Sequence, residues 1–222
     1  MSKHLEKEIE KLKKNIIIMS SIVEDMVYLS TKSVIERDAR MAEEIIKRDI
    51  EVDNLEVEIE EDCLKILTLH QPVAIDLRII IAILKINSDL ERVGDLAVNI
   101  AERSIFIGSQ KTDIPAYDFT DMASKAEDML SRSIDSLVNL DVKTAYRVRV
   151  EDDEVDAMNR DIFAFVKGQI PNNPEQVNSL LHLLSVGRHL ERIADHATNI
   201  AEEVIYLVDA RIVRHTPEVY DQ

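Results

Sequence analysis

Residues 90–105 and 190–205 align without a gap, and ten of the sixteen positions are identical: Leu90, Glu91, Arg92, Asp95, Ala97, Asn99, Ile100, Ala101, Glu102 and Ile105 each meet the same residue 100 positions later. A weaker match lies upstream at an offset of 103, where "DIEVD" (49–53) falls over "DDEVD" (152–156). A single long period marks a duplicated domain, whereas a solenoid repeats many short units. Whatever the first half folds into, the second half must fold into as well.

The residues that break regular structure are few: four Gly and five Pro in 222 residues, with no Trp. Good helix formers fill the remainder, so the fold class is all-α. Three turn-rich stretches divide the chain: "LHQPV" (69–73), "GSQKTDIPAYDFT" (108–120) and "GQIPNNP" (168–174), with weaker breaks near "ERDAR" (36–40) and "NLDV" (139–142). Pro72 suits a first helical position better than an interior one. The pattern predicts six long helices, over 4–36, 39–69, 73–107, 119–138, 142–167 and 174–209. These group into two similar three-helix bundles, 1–110 and 111–222, with the middle stretch as the join.

Helical geometry then places the acids. At about 100° per residue, Asp95 lies roughly 40° around from Glu91, Glu102 about 20° and Asn99 about 80°. Leu77, Ile80, Leu84, Val98 and Ile105 fall within about 40° of Glu91, so Glu91 and Asp95 interrupt an aliphatic stripe. Arg78, Lys85, Asp89, Arg92 and Arg103 gather on another side, which reads as the solvent face. Glu191 and Asp195 repeat the arrangement with Val177, Leu180, Leu184 and Ile205. On the middle helices, Asp53, Glu56 and Glu60 share the face of Asp49, and Asp156 shares that of Asp152 beside Asn159 and Phe163. Ile86, Val93 and Ile100 form a second apolar side on the Glu91 helix, which leaves the inward face open.

Like charges at i,i+4 cost a helix about 0.2–0.5 kcal/mol even in water, and desolvating unpaired carboxylates costs several kcal/mol. Acids that face one another across two helices therefore need protons, basic partners or cations. Arg149, beside Asp152, is the nearest basic candidate. Carboxylates at this spacing are one way in which helical bundles hold metals on oxygen ligands; a solvated acidic face is the alternative. The Glu-x-x-His signature of di-iron bundles is absent from both motif helices, as are Gly-rich phosphate loops, nucleophile elbows and Cys–His pairings. His196 turns about 100° off the stripe, which points it to solvent rather than to a ligand position. A ferritin-like carboxylate-metal enzyme and a metal-free helical adaptor both remain as alternatives.

The net charge is −16, from 43 acids against 27 bases. A field of this sign favours cations and disfavours nucleic acid and anionic lipid as direct partners. One cysteine, Cys63, forms no internal disulfide. The opening "MSKHLEKEIEKLKK" has no signal-peptide core, and the longest apolar run, "IIIAIL" (79–84), is too short to span a bilayer. We expect a soluble cytoplasmic protein without membrane insertion, and apolar helix faces that suit a homodimer.

"QPVAIDLRIIIAILKINSDLERVGDLAVNIAE" followed by "HLERIADHATNIAEEVIYLV" resembles the PhoU family of phosphate-transport regulators, and the resemblance covers the whole chain. It implies two three-helix bundles carrying multinuclear iron or zinc clusters on the paired acids. Matched residue by residue, one metal site would draw on Asp49, Asp53, Glu91 and Asp95, and the other on Asp152, Asp156, Glu191 and Asp195. Glu56 and Glu60 would add ligands to the first; Asn159 and Phe163 at their places should leave the second weaker. The family's function is regulation without catalysis. Its members act at the cytoplasmic side of the phosphate ABC transporter, restraining uptake and the starvation response when phosphate is plentiful. The implied partners are the transporter's ATPase subunit and, where present, a phosphate-sensing histidine kinase. The basic ridge Arg78–Lys85–Arg92–Arg103 is a candidate contact surface, or simply a solvated face.

Overall fold

A computed structural model describes residues 3–110 and 115–214. It contains six long helices: α1 (Lys3–Glu36), α2 (Ala39–His70), α3 (Ala74–Ser109), α4 (Thr120–Asn139), α5 (Val142–Gln169) and α6 (Val177–Asp209). The expected helix bounds agree to within a few residues. Of the predicted join, 111–114 lie outside the described residues. Two ends differ from the sequence reading. Pro72 sits in the α2–α3 link, ahead of a helix that begins at Ala74, and a 3-10 turn at Pro174–Gln176 occupies the expected start of α6.

Capping residues show the duplication as clearly as the motifs do. The Asp38 side chain accepts a hydrogen bond from the Arg40 amide at 2.9 Å and starts α2. Asp141, at the 103-residue offset, accepts from the amides of Lys143 and Thr144 and starts α5. Each cap satisfies amides that the first turn leaves without an intrahelical partner, a contribution of about 0.5–2 kcal/mol.

Within the first bundle, α1 turns Leu12, Ile16, Met19, Val23 and Met26 inward at i,i+3 and i,i+4 spacing. They meet Ala42, Ile45, Val52, Ile59 and Ile66 of α2 and Ile80, Ile86, Leu90, Val93 and Ile100 of α3. At about 1.5–3 kcal/mol for each fully buried aliphatic side chain, this packing outweighs any single polar contact. Cys63 belongs to the same core; burial, with help from Asp62 and Glu60, pushes its thiol up to about 12, so it stays an inert thiol.

The bundles join along α3 and α6, which run antiparallel, with a further contact between α1 and α4. Lys85 Nζ donates to Glu203 Oε1 at 2.9 Å, and Arg103 Nε donates to Ser185 Oγ at 3.4 Å. Positions 185 and 203 are the repeats of 85 and 103, so the two contacts exchange under a pseudo-two-fold axis. The α1–α4 contact follows this symmetry in its acceptors only, since the donors Thr31 and Ser131 are not repeats of each other. Glu127 accepts from the Thr31 hydroxyl, and Glu24, its repeat at the 103-residue offset, bonds Ser131; burial raises both glutamates above the ordinary carboxyl range. The halves thus meet as the two copies of an isologous dimer would.

Candidate metal centre

The presumed solvent face of α3 is in fact this seam. Lys85 and Arg103 are committed to α6, Asp89 Oδ1 lies 2.8 Å from His196 Nδ1 and accepts from Asn199 Nδ2 at 3.3 Å, and Phe106 stacks on His182 with centroids 3.7 Å apart. Two expectations are corrected here. His196 is buried against the opposite bundle rather than exposed, and the ridge Arg78–Lys85–Arg92–Arg103 is not one continuous surface, because two of its members face inward. His189 lies in the same region, bonds Ser185 Oγ at 3.0 Å, and is held down to about 4 by burial and by Arg103, Arg192 and Arg188.

With α3 so oriented, Glu91 and Asp95 fall at the edge of the core, toward α2. The fully buried side carries Ile86, Leu90, Val93, Ala97 and Ile100, while Glu91 and Asn99 are half-buried and Asp95 is exposed. Asp49 reaches across from α2: a Cβ added at Gly94 would lie 3.9 Å from Asp49 Oδ1 and 3.4 Å from Val52 Cγ1. Desolvation, then Asp53 and Asp95, push Asp49 up. Desolvation, then Asp95, Glu56 and Asp53, push Glu91 up, with Arg92 opposing. Glu56 is raised by burial and by Glu60 and Asp53. These carboxylates feel one another across the α2–α3 groove.

The second groove is more strained electrostatically. Desolvation and the charges of Asp195, Asp156, Asp153 and Glu191 push Asp152 up to about 7. Desolvation, with Asp195 and Asp156, raises Glu191. Asp195 keeps access to water, yet it is crowded enough that desolvation and Asp156 raise it against the opposing pull of His196 and Arg192. Arg149 does not relieve Asp152. Its Nε donates to Glu202 Oε1 at 3.2 Å and its Nη2 to the Val213 carbonyl, so the basic partner expected from sequence is spent elsewhere. Among the described ion pairs, the eight motif acids enter only Asp156–Arg160, at 4.0 Å on an exposed surface.

All eight sequence-predicted ligands therefore lie along two grooves: Asp49, Asp53, Glu91 and Asp95 between α2 and α3, and Asp152, Asp156, Glu191 and Asp195 between α5 and α6. The donor set is all carboxylate oxygen and is short of basic partners, which suits hard cations. No three of these acids have oxygen atoms all within 4.8 Å of one another. Among the described residues the one group meeting that limit is His4, Glu8 and His70, which the sequence reading did not single out. His4 and Glu8 are legible as an i,i+4 pair, but only the tertiary fold brings His70 to them.

Fold and grooves define a class: paired three-helix bundles, related by a pseudo-two-fold axis, each with an acid-lined groove between its second and third helices. The chain belongs to the PhoU family, whose PhoU domain model matches residues 16–104 and again 119–204. The phosphate-specific transport system accessory protein PhoU homolog of Aquifex aeolicus is 38% identical over 209 residues, 94% of this chain and 95% of that protein. Its namesake in Clostridium acetobutylicum is 34% identical over 212 residues, 95% of this chain and 97% of that protein. The crystal structure of PhoU from Pseudomonas aeruginosa superposes with a TM-score of 0.90 at 31% identity, covering 93% of this chain and 99% of that one. No helix among the described residues is long and apolar enough to cross a membrane.

Proposed function

We propose that this protein is an accessory regulator of phosphate-specific transport. It acts at the cytoplasmic side of the phosphate ABC transporter, restrains uptake and the starvation response when phosphate is plentiful, and performs no chemistry of its own. The observation that carries this reading is similarity along nearly the whole chain to proteins named as accessory proteins of that transport system. The transporter's ATPase subunit is the expected partner, with a phosphate-sensing histidine kinase where one exists. Deleting the gene should derepress phosphate uptake in phosphate-rich medium, and tagged protein should retain the ATPase subunit. Unchanged uptake together with no retained subunit would overturn the reading.

The same proposal places iron or zinc in the two grooves. Asp49, Asp53, Glu91 and Asp95 would hold one set, with Asp152, Asp156, Glu191 and Asp195 holding the other. Mutual repulsion within each groove and the lack of basic partners support it. A bound cation would supply the missing positive charge, and side-chain rotation about the helix-borne χ angles would bring the oxygens onto it. Elemental analysis of gently purified protein should find metal, and Glu91→Gln with Asp95→Asn should lower both the metal content and Tm. Protein without metal, whose Tm no added cation raises, would remove the ions and leave the fold.

A further inference from the structure

At the far end of the first bundle, the start of α1 and the end of α2 bring two imidazoles onto one carboxylate. Glu8 Oε1 lies 3.4 Å from His4 Nε2, and Glu8 Oε2 lies 2.8 Å from His70 Nε2. The two rings stand edge to face with centroids 5.5 Å apart. One donor atom from each of the three residues falls within 4.8 Å of the others. Glu8 Oε2 and His70 Nε2 are buried, and despite their closeness neither has a hydrogen-bond partner in line. A buried carboxylate oxygen and a buried ring nitrogen left this way are costly as a mere ion pair.

Three donor atoms gathered within 4.8 Å of one another, with a buried carboxylate oxygen and a buried ring nitrogen lacking a hydrogen bond, suit a coordinated ion. Around a tetrahedral zinc with ligands at about 2.0–2.1 Å, neighbouring donor atoms stand about 3.3 Å apart. His4 Nε2 stands 3.4 Å from Glu8 Oε1, whereas His70 Nε2 sits closer, 2.8 Å from the other oxygen, so side-chain rotation would bring the three onto one ion. Two imidazoles and one carboxylate form a borderline-soft set, unlike the all-oxygen grooves, and leave a fourth position for water. We propose that His4, Glu8 and His70 form a separate binding site for a divalent transition metal of zinc type, pinning the start of α1 to the end of α2. Among the described ion pairs, Lys65 Nζ, 3.9 Å from Glu8 Oε1, is the one opposing charge at the site. Its side chain is 57% exposed and free to swing into water. His70 is 17 residues beyond Asp53 and 10 beyond Glu60, about 25 and 15 Å along α2, so it shares no ligand with the acid grooves.

Zinc alone is the probe, titrated into the full chain and into a form whose grooves are neutralised by changing Asp49, Asp53, Glu91, Asp95, Asp152, Asp156, Glu191 and Asp195 to their amides. The neutralised chain should still bind one zinc, with a rise in Tm. His70→Gln should weaken that binding by more than the roughly 10–100-fold that loss of a supporting contact costs. His4→Gln changes an exposed residue that no core packing depends on, so it tests the same loss without endangering the fold. If the neutralised chain takes up no zinc, or takes it up equally with and without His4 and His70, the inference is overturned. Zinc lost only with the groove acids would overturn this site while sparing the grooves; zinc held only at His4 and His70 would do the reverse.

Discussion

Burial and four neighbouring carboxylates push Asp152 up to about 7, well above the roughly 3.9 of an unfolded aspartate. Between those two values the folded chain binds more protons than the unfolded one, so stability falls as pH rises through the window and the full penalty stands above it. In chelated protein, Asp152→Asn should therefore raise Tm at pH 8 by about 2–4 °C, the equivalent of about 1 kcal/mol, and change little near pH 4. With iron or zinc restored, the same substitution should lower Tm, because a ligand is lost; thermal melts at both pH values read the sign. The pairing of Asp152 with Asp156, and of Glu191 with Asp195, was legible in the sequence, because i,i+4 spacing fixes an angle about the helix axis, while their grouping across two helices rested on the resemblance to the PhoU family. The failure of Arg149 to help was not. A guanidinium three residues along the helix from Asp152 has several neighbours within reach, and only the fold sends it to Glu202 and the Val213 carbonyl.

At the scale of the helix, Lys85 shows why periodicity misled. Charged side chains on one side of α3 read as a solvent face, but Lys85, Asp89 and Arg103 find partners on α6, so a polar side served as an interface. Helix bounds were legible because so few Pro and Gly interrupt the chain; the choice between two apolar sides of α3 was not, since the pattern fixes angles and not neighbours. Glu203 is buried, and its remaining partner is Arg214 at 3.5 Å, a residue beyond the end of α6. Lys85→Met should therefore cost about 1–3 kcal/mol in urea unfolding, as a half-paired buried carboxylate is left behind. Adding Glu203→Gln should recover most of that loss, because the penalty is the orphaned charge and not the missing attraction.

For the whole molecule, the pseudo-two-fold seam makes each bundle the principal partner of the other. Cut within the join and co-expressed, the halves should copurify, and Lys85→Glu, which sets two carboxylates against each other at the seam, should reduce the yield of the pair; affinity capture through a tag on either half measures it. The duplication was plain from residues 90–105 and 190–205, yet a repeat cannot say whether its copies touch, and here they do so through the repeated helices themselves. Self-complementary halves on one chain have a further consequence. Two molecules can trade their second bundles and remake the seam contacts, so a dimer formed by such an exchange would need no new surface, and its share would be set by the concentration of the chain against the effective concentration that the join imposes.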